Sequence, residues 1–206
     1  MSTPAPDGPS VVVVGAGSTV HGSLAATRST AHFGVVVFLA SDVMLFASFF
    51  AAYFLLRTSN QPWPPEGVEL DTTRAALFTV VLFASSFTLV ASDRAAVRPG
   101  GGSAQQRWLL FTIALGAAFL ANQLAEYATL DFTADDHPYG SCYWLLTGLH
   151  SAHVTAGLVA MALLFVRSIR SRSPAAIASW TGGVSLFWHL VDVIWLFLFA
   201  TVWIIR

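Results

Sequence analysis

The chain of 206 residues contains no lysine, and all ten of its basic residues are arginines. No lysine Schiff base can therefore form, which excludes a retinal pump and a pyridoxal enzyme. The single cysteine, Cys142, can make no disulfide within the chain and cannot alone supply a metal site with two thiolates. A net charge of −1 provides no basic surface, so we expect no nucleic-acid partner.

Charge of either sign is scarce. Only 10% of the residues are charged, whereas soluble domains carry about 25%. Hydrophobic residues make up 55% of the chain, and the mean hydropathy is +0.67. This composition indicates an integral membrane protein.

The N-terminal segment differs from the rest of the chain. Residues 1–31 are rich in Ser, Thr, Pro, Gly and Ala, and such a segment buries too little apolar surface to order itself. It also lacks the basic start and continuous apolar core of a signal peptide. We predict a disordered tail over 1–31, followed by a membrane domain over 32–206.

Charged residues divide the membrane domain into five apolar runs. Each run is close to the roughly 20 residues that a helix needs to cross a bilayer of about 30 Å. The alternating pattern of a membrane barrel is missing. We predict an all-α integral membrane fold, a bundle of five transmembrane helices. The predicted spans are 33–56, 75–92, 108–130, 142–166 and 179–205.

The arginines predict the orientation of the bundle. With the N-terminus inside, the inner segments hold seven of them and the outer segments three. The positive-inside rule therefore favours an N-terminus inside and a C-terminus outside. The inner arginines are Arg28, Arg94, Arg98, Arg107, Arg167, Arg170 and Arg172, and the outer ones are Arg57, Arg74 and Arg206.

Six ionisable residues interrupt the predicted spans. An ionised group at the centre of a bilayer costs about 3 kcal/mol or more unless it is paired or solvated. Two interpretations stay open: pairs that fix the register of the helices, and a proton-linked or lipid-headgroup site. We expect Glu126 to contact a histidine of the fourth span, and Asp42 has no obvious partner on its own helix. The six are Asp42, Glu126, His150, His153, His189 and Asp192.

The membrane histidines also raise the question of a metal site. His150, His153 and His189 could in principle bind copper or haem iron. Haem between helices needs ligands that face each other at matched depth, and two of the three histidines share one helix. We therefore predict no metal site in this chain.

Small residues recur every four positions in the third and fourth spans. This spacing lets helix backbones approach closely in a bilayer, so it predicts tight helix packing. The repeats are Ala117, Ala121 and Ala125, and Gly148, Ala152, Ala156 and Ala160.

Five motifs, in a fixed order, cover nearly the whole membrane domain. Together they resemble subunit III of haem–copper respiratory oxidases, in the five-helix form of bacterial members. The motifs are SDVMLF at 41–46, WPPEG at 63–67, QLAEY at 123–127, LTGLHSAHV at 146–154 and FWHLVDVIWLFLF at 187–199.

The resemblance implies a role without redox chemistry of its own. Subunit III of this family packs against subunit I, which carries the haems and copper, in a complex that reduces oxygen to water and pumps protons. It encloses phospholipid in a V-shaped cleft, supports proton uptake and protects subunit I from inactivation. By this resemblance we expect subunits I and II as partners and a bacterial plasma membrane as location. We expect four residues to pack helices or line the cleft: Trp63, Gly148, Trp188 and Trp195.

Several alternatives remain open from the sequence. Asp42 stands where cytochrome c oxidases of the family usually carry glutamate, and aspartate is familiar from the quinol-oxidase branch. The Trp-Pro-Pro loop, in contrast, resembles the cytochrome c branch, so an aa3-type cytochrome c oxidase and a quinol oxidase both fit. Other readings are a subunit III-like protein of a nitric oxide reductase, a transporter using Asp42 and Asp192, and a haem b protein.

Overall fold

The computed structural model describes residues 17–170 and 174–205 of the chain. These residues form five long α-helices and a final π-helical segment, with no β-strand among them. The elements are α1 Gly17–Ser59, α2 Thr72–Ala96, α3 Gly102–Tyr127, α4 Pro138–Arg170, α5 Pro174–Phe199 and the π-helical segment Ala200–Ile204.

All five helices are long and apolar enough to cross a membrane, which confirms the predicted bundle of five spans. Helical hydrogen bonding continues past the apolar stretch at several ends, so the helices are longer than the predicted spans. Residues 1–16 of the predicted tail lie outside the described residues, and α1 begins at Gly17. The orientation and the lipid-filled cleft stay predictions. The candidate spans are Phe33–Ser59, Thr72–Ala96, Gly102–Tyr127, Pro138–Arg170 and Trp180–Ile204.

Local signals explain where the helices start and turn. Asp71 caps α2 by accepting a hydrogen bond from the backbone N–H of Arg74 at 2.9 Å. Pro138 opens α4, a position where its missing N–H has no helical partner to lose. The short turn between α2 and α3 contains Gly100 with a φ of 73°, a left-handed conformation that favours glycine.

Four of the helices close into a ring. Helix α2 contacts α3 and α5, and α4 also contacts α3 and α5, whereas α1 lies outside the ring against α4 and α5. The fully buried Trp188 of α5 fills the centre. Its indole lies so close to two glycines of α3 and α4 that a Cβ added to Gly116 or Gly157 would stand 2.7 Å from the ring. These two glycines, rather than the alanine repeats, allow the indole of Trp188 to lie close to the backbones of α3 and α4.

The predicted tight packing is wrong within the chain for most of the small-residue repeats. Five of the seven residues are exposed on the bundle surface, whereas Gly148 and Ala160 are half-buried. Apart from the backbone of its own helix, no atom of the described residues lies within 4 Å of the place where a Cβ on Gly148 would stand. The exposed members are Ala117, Ala121, Ala125, Ala152 and Ala156.

The loop between α1 and α2 folds back onto the bundle. Trp63 is 8% exposed and packs edge-on against Tyr53 and Tyr139, with ring centroids 5.2 Å apart in both pairs. The hydroxyl of Tyr53 donates to the carbonyl of Thr201 at 3.2 Å. This aromatic cluster closes one end of the bundle and ties α1 to the end of α5.

Candidate functional sites between the helices

Asp42 has its partner on a different helix. Its Oδ1 lies 3.5 Å from Nε2 of His153 on α4, and the residue is 7% exposed. Nδ1 of His153 lies 2.8 Å from the carbonyl of Leu149, which can only accept, so Nδ1 carries a proton. Nε2 of His153 and Oδ1 of Asp42 thus form a polar contact between α4 and α1, which becomes an ion pair when the imidazole is protonated.

Aromatic rings enclose this pair. Phe46 meets the His153 ring edge-on at 5.3 Å, and Phe187 stacks on it at 6.2 Å. Oδ2 of Asp42 has no hydrogen-bond partner in the described part of the chain. The pair is thus a polar contact between α1 and α4, in addition to the hydrogen bond from Tyr53 to Thr201.

The expected contact between Glu126 and a histidine of α4 is wrong. Glu126 is 5% exposed and accepts a hydrogen bond from the hydroxyl of Tyr143 at 3.3 Å. His150 lies deeper along α4 and faces α5, between Phe119 at 6.0 Å and Trp195 at 4.9 Å. Neither ring nitrogen of His150 has a hydrogen-bond partner among the described residues. The prediction was wrong because the spacing of residues within one helix does not reveal how the antiparallel α3 and α4 are aligned against each other.

Arg74 joins α2 to α3 near Glu126. Its Nε donates to Oδ1 of Asn122 at 2.5 Å, and its Nη2 donates to the backbone carbonyl of the same residue at 3.3 Å. Asn122 is 8% exposed and lies one turn before Glu126. In the sequence, Arg74 counted only towards the predicted orientation of the bundle.

His189 and Asp192 meet on the hydroxyl of Ser86. Oγ of Ser86 on α2 lies 2.9 Å from Nδ1 of His189 and donates a hydrogen bond to Oδ2 of Asp192. Asp93, about two turns further along α2, is a neighbour of the Ser185 hydroxyl. Ser86 was missed because a serine in an apolar run has no distinctive sequence signal.

The chain can now be placed by comparison with known proteins. The family model described as cytochrome c oxidase subunit III matches residues 12–205. The chain belongs to the cytochrome c oxidase subunit III family. It is therefore a multi-pass membrane subunit of a haem–copper oxidase and associates with other oxidase subunits.

Relatives in this family support the same assignment. A probable cytochrome c oxidase subunit 3 of Nocardia farcinica is 39% identical, over 84% of this chain and 87% of the relative. One from Mycobacterium tuberculosis is 40% identical over the same shares. The cytochrome c oxidase subunit 3 of Thermostichus vulcanus is 37% identical over 84% of this chain and 86% of its own.

The two predicted tryptophans of α5 pack the helices of this subunit III. Nε1 of Trp188 donates to Oγ of Ser85 at 3.0 Å, and Nε1 of Trp195 donates to Oγ1 of Thr79 at 2.9 Å. Both indoles are buried and tie α5 to α2. Contact with lipid stays a prediction for both.

The described residues of this subunit III contain no group of three or more His, Cys, Asp and Glu side chains that could hold a metal ion. The membrane histidines have other neighbours. His153 faces Asp42, His189 faces Ser86, and His150 lies between aromatic rings. The absence of a cofactor from the chain nevertheless stays a prediction.

Proposed function

We propose that the chain is the non-redox subunit III of an aa3-type cytochrome c oxidase in a bacterial plasma membrane. It packs against subunits I and II, and the haems and copper belong to those partners. The complex reduces oxygen to water and couples the reaction to proton pumping. This chain stabilises subunit I, binds phospholipid and supports proton uptake.

The arrangement of the three membrane histidines supports the non-redox part of this proposal. A bis-imidazole haem site between helices requires two imidazoles that face each other, with the iron between them. Here the rings of His150, His153 and His189 face a Trp, an Asp and a Ser respectively. This distribution supports a chain that contributes protonatable groups and no catalytic residue.

The Asp42–His153 pair supports a part in proton handling. A carboxyl and an imidazole that hold one proton between them are neutral overall. Such a pair avoids the free-energy cost of placing a net charge inside the membrane. The site can then take up or release a proton as its surroundings change.

The apolar outer surface supports binding to lipid and to partner subunits. Among the described side chains of α1, large apolar ones are exposed on the face away from the ring, including Phe33 at 69% and Met44 at 74%. In a membrane such a face is covered by lipid chains or by another subunit. Helix α1 therefore provides the broadest surface for both.

Purification through a tag on this chain tests the proposal. In mild detergent we expect a haem-bearing subunit I and a copper-bearing subunit II to copurify, with haem a in the reduced-minus-oxidised spectrum. The complex is expected to oxidise reduced cytochrome c with oxygen. Oxidation of quinol alone, or copurification with a nitric oxide reductase, would contradict the aa3 assignment. A haem spectrum from the isolated chain would contradict its non-redox role.

A further inference from the structure

We infer that Ser86 is a proton relay between His189 and Asp192 at the interface of α2 and α5. The inference adds detail to the proposed part of this chain in proton uptake. It depends on that proposal only for what the oxidase does with the transferred proton. The relay itself is a property of three side chains in this chain.

The geometry places one hydroxyl between two titratable groups. A serine hydroxyl has one proton to donate and two lone pairs that can accept. Oγ of Ser86 donates to Oδ2 of Asp192 and lies 2.9 Å from Nδ1 of His189. Since its single proton is used towards Asp192, Ser86 accepts from Nδ1–H of His189.

A proton added at the free nitrogen of His189 can cross this bridge. The N–H bond forms at Nε2, and the proton on Nδ1 passes to Oγ of Ser86. The original hydroxyl proton of Ser86 passes to Oδ2 of Asp192. The end state contains a neutral imidazole with its proton on Nε2, a neutral carboxylic acid and an intact serine. One proton has entered, and no side chain has moved.

Burial distinguishes the two ends of the bridge. Asp192 is 3% exposed, whereas Ser86 and His189 are half-buried. His189 is therefore the more accessible end of the relay, and Asp192 is the enclosed end. Oδ1 of Asp192 has no hydrogen-bond partner within residues 17–170 and 174–205, so it remains free for a further acceptor or donor.

Asp93 is the titratable neighbour of the relay on α2. It is half-buried, and the Ser185 hydroxyl is its neighbour on α5. Its Oδ1 also has no hydrogen-bond partner in the described residues. Asp93 thus lies between the helix end, where Arg94 is exposed, and the imidazole of His189.

Other charged groups on the helices around α2 and α5 have different neighbours. His153 pairs with Asp42, Glu126 bonds to Tyr143, and Arg74 bonds to Asn122. On α4, the ring of His150 lies 4.9 Å from that of Trp195, and Arg167 lies 4.1 Å above the ring of Trp180. On α3, Arg107 is exposed. Asp93 is accordingly the titratable neighbour that a titration of the relay has to take into account.

Infrared titration of the purified complex tests the relay. The variant Asp192→Asn identifies the carboxyl C=O band of Asp192, and His189→Gln identifies the imidazole bands. In the unmodified complex the two signals should change together across one pH range. In Ser86→Ala they should separate into two transitions, and Ser86→Thr should restore the joint transition because it restores the hydroxyl.

Ser85→Ala is the matched control. Ser85 is the adjacent serine of α2, and its hydroxyl accepts from Trp188 and donates to the Leu82 carbonyl, away from the relay. This variant should keep the joint transition. Joint titration that persists in Ser86→Ala, or is absent from the unmodified complex, would overturn the relay. Where Ser86→Ala does not assemble, Ser86→Cys replaces it, since the weak thiol donor should separate the two signals.

Failure of the relay and failure of the proposed function are read from different measurements. A complex with cytochrome c oxidase activity but separate titration of Asp192 and His189 contradicts the relay alone. A chain that copurifies with other partners, but shows the joint transition, contradicts the oxidase assignment alone.

Discussion

The ring of α2 to α5 and the outer helix α1 are held in different ways. In the ring, Trp188 fills a space bounded by two glycines, and two indole N–H groups donate to hydroxyls of α2. Helix α1 is attached by the Asp42–His153 pair and by aromatic contacts at either side of it. The ring thus depends on close packing, whereas α1 depends on a polar pair, a hydrogen bond and aromatic contacts. Steric changes should disturb the ring, and loss of the polar pair should disturb α1.

The largest effect is expected from filling the space beside Trp188. Gly157→Val places a Cβ 2.7 Å from the indole, and overpacking of a tight core costs about 3 kcal/mol. We expect a lower melting temperature and reduced assembly into the complex, measured by thermal unfolding and by yield after tag purification. The control Gly148→Val adds the same group where the described chain leaves open space. Equal loss of thermal stability in both variants would show that the ring does not depend on shape.

A smaller effect is expected from changing the polar pair that attaches α1 to α4. In Asp42→Asn the carboxyl becomes an amide, so the group facing His153 can no longer carry a negative charge or take up a proton. We expect an unchanged haem spectrum and fewer turnovers before the oxidase inactivates, counted from oxygen consumption. The control Ser41→Ala changes an exposed neighbour that bonds only to its own helix, at Val37. Unchanged turnover lifetime together with unchanged proton uptake in Asp42→Asn would count against the role of the pair.

The contribution of the indole hydrogen bonds to stability can be measured separately from the packing of the ring. Trp195→Phe keeps an aromatic ring in place and removes the bond to Thr79, which is worth about 1 kcal/mol. We expect a modest fall in the free energy of unfolding in detergent. Thr79→Val removes the same bond from the other side, and the double variant should lose little more than either single one. Fully additive losses would mean that the bond does not couple α5 to α2.

The smallest effect is expected in the loop before α4, outside both regions. Hydrogen bonds from the backbone N–H and hydroxyl of Thr133, at 2.6 and 3.0 Å, hold the pKa of the Asp136 carboxyl below its usual value. Its stabilising contribution is present above the unfolded pKa of about 3.9 and is lost as pH falls through the lower folded pKa. Asp136→Asn should slightly lower the melting temperature at neutral pH, and the difference should shrink in acid.

The neighbouring Asp135→Asn serves as control for that variant. It removes an exposed carboxyl from the same loop. A similar pH-dependent difference in both variants would assign the effect to the overall charge of the loop and not to the Thr133 contacts.

The sequence predicted the five spans because bilayer thickness sets how many apolar residues a helix needs, and charged residues separate the runs. It did not predict which side chains meet. Asp42 had no visible partner because His153 lies on another helix, and the Glu126 contact was wrong because helix register is set by packing. Ser86 carried no signal, because a serine in a membrane helix usually bonds to its own backbone. Contacts between helices depend on how their side chains pack together, and residue spacing within one helix does not contain that information.

The position of Trp188 also bears on how the protein is made. Its indole touches α2, α3 and α4 at once, through Ser85, Gly116 and Gly157. It is carried by α5, which follows these three helices in the chain. The three helices therefore obtain this shared contact only once α5 has been made and inserted.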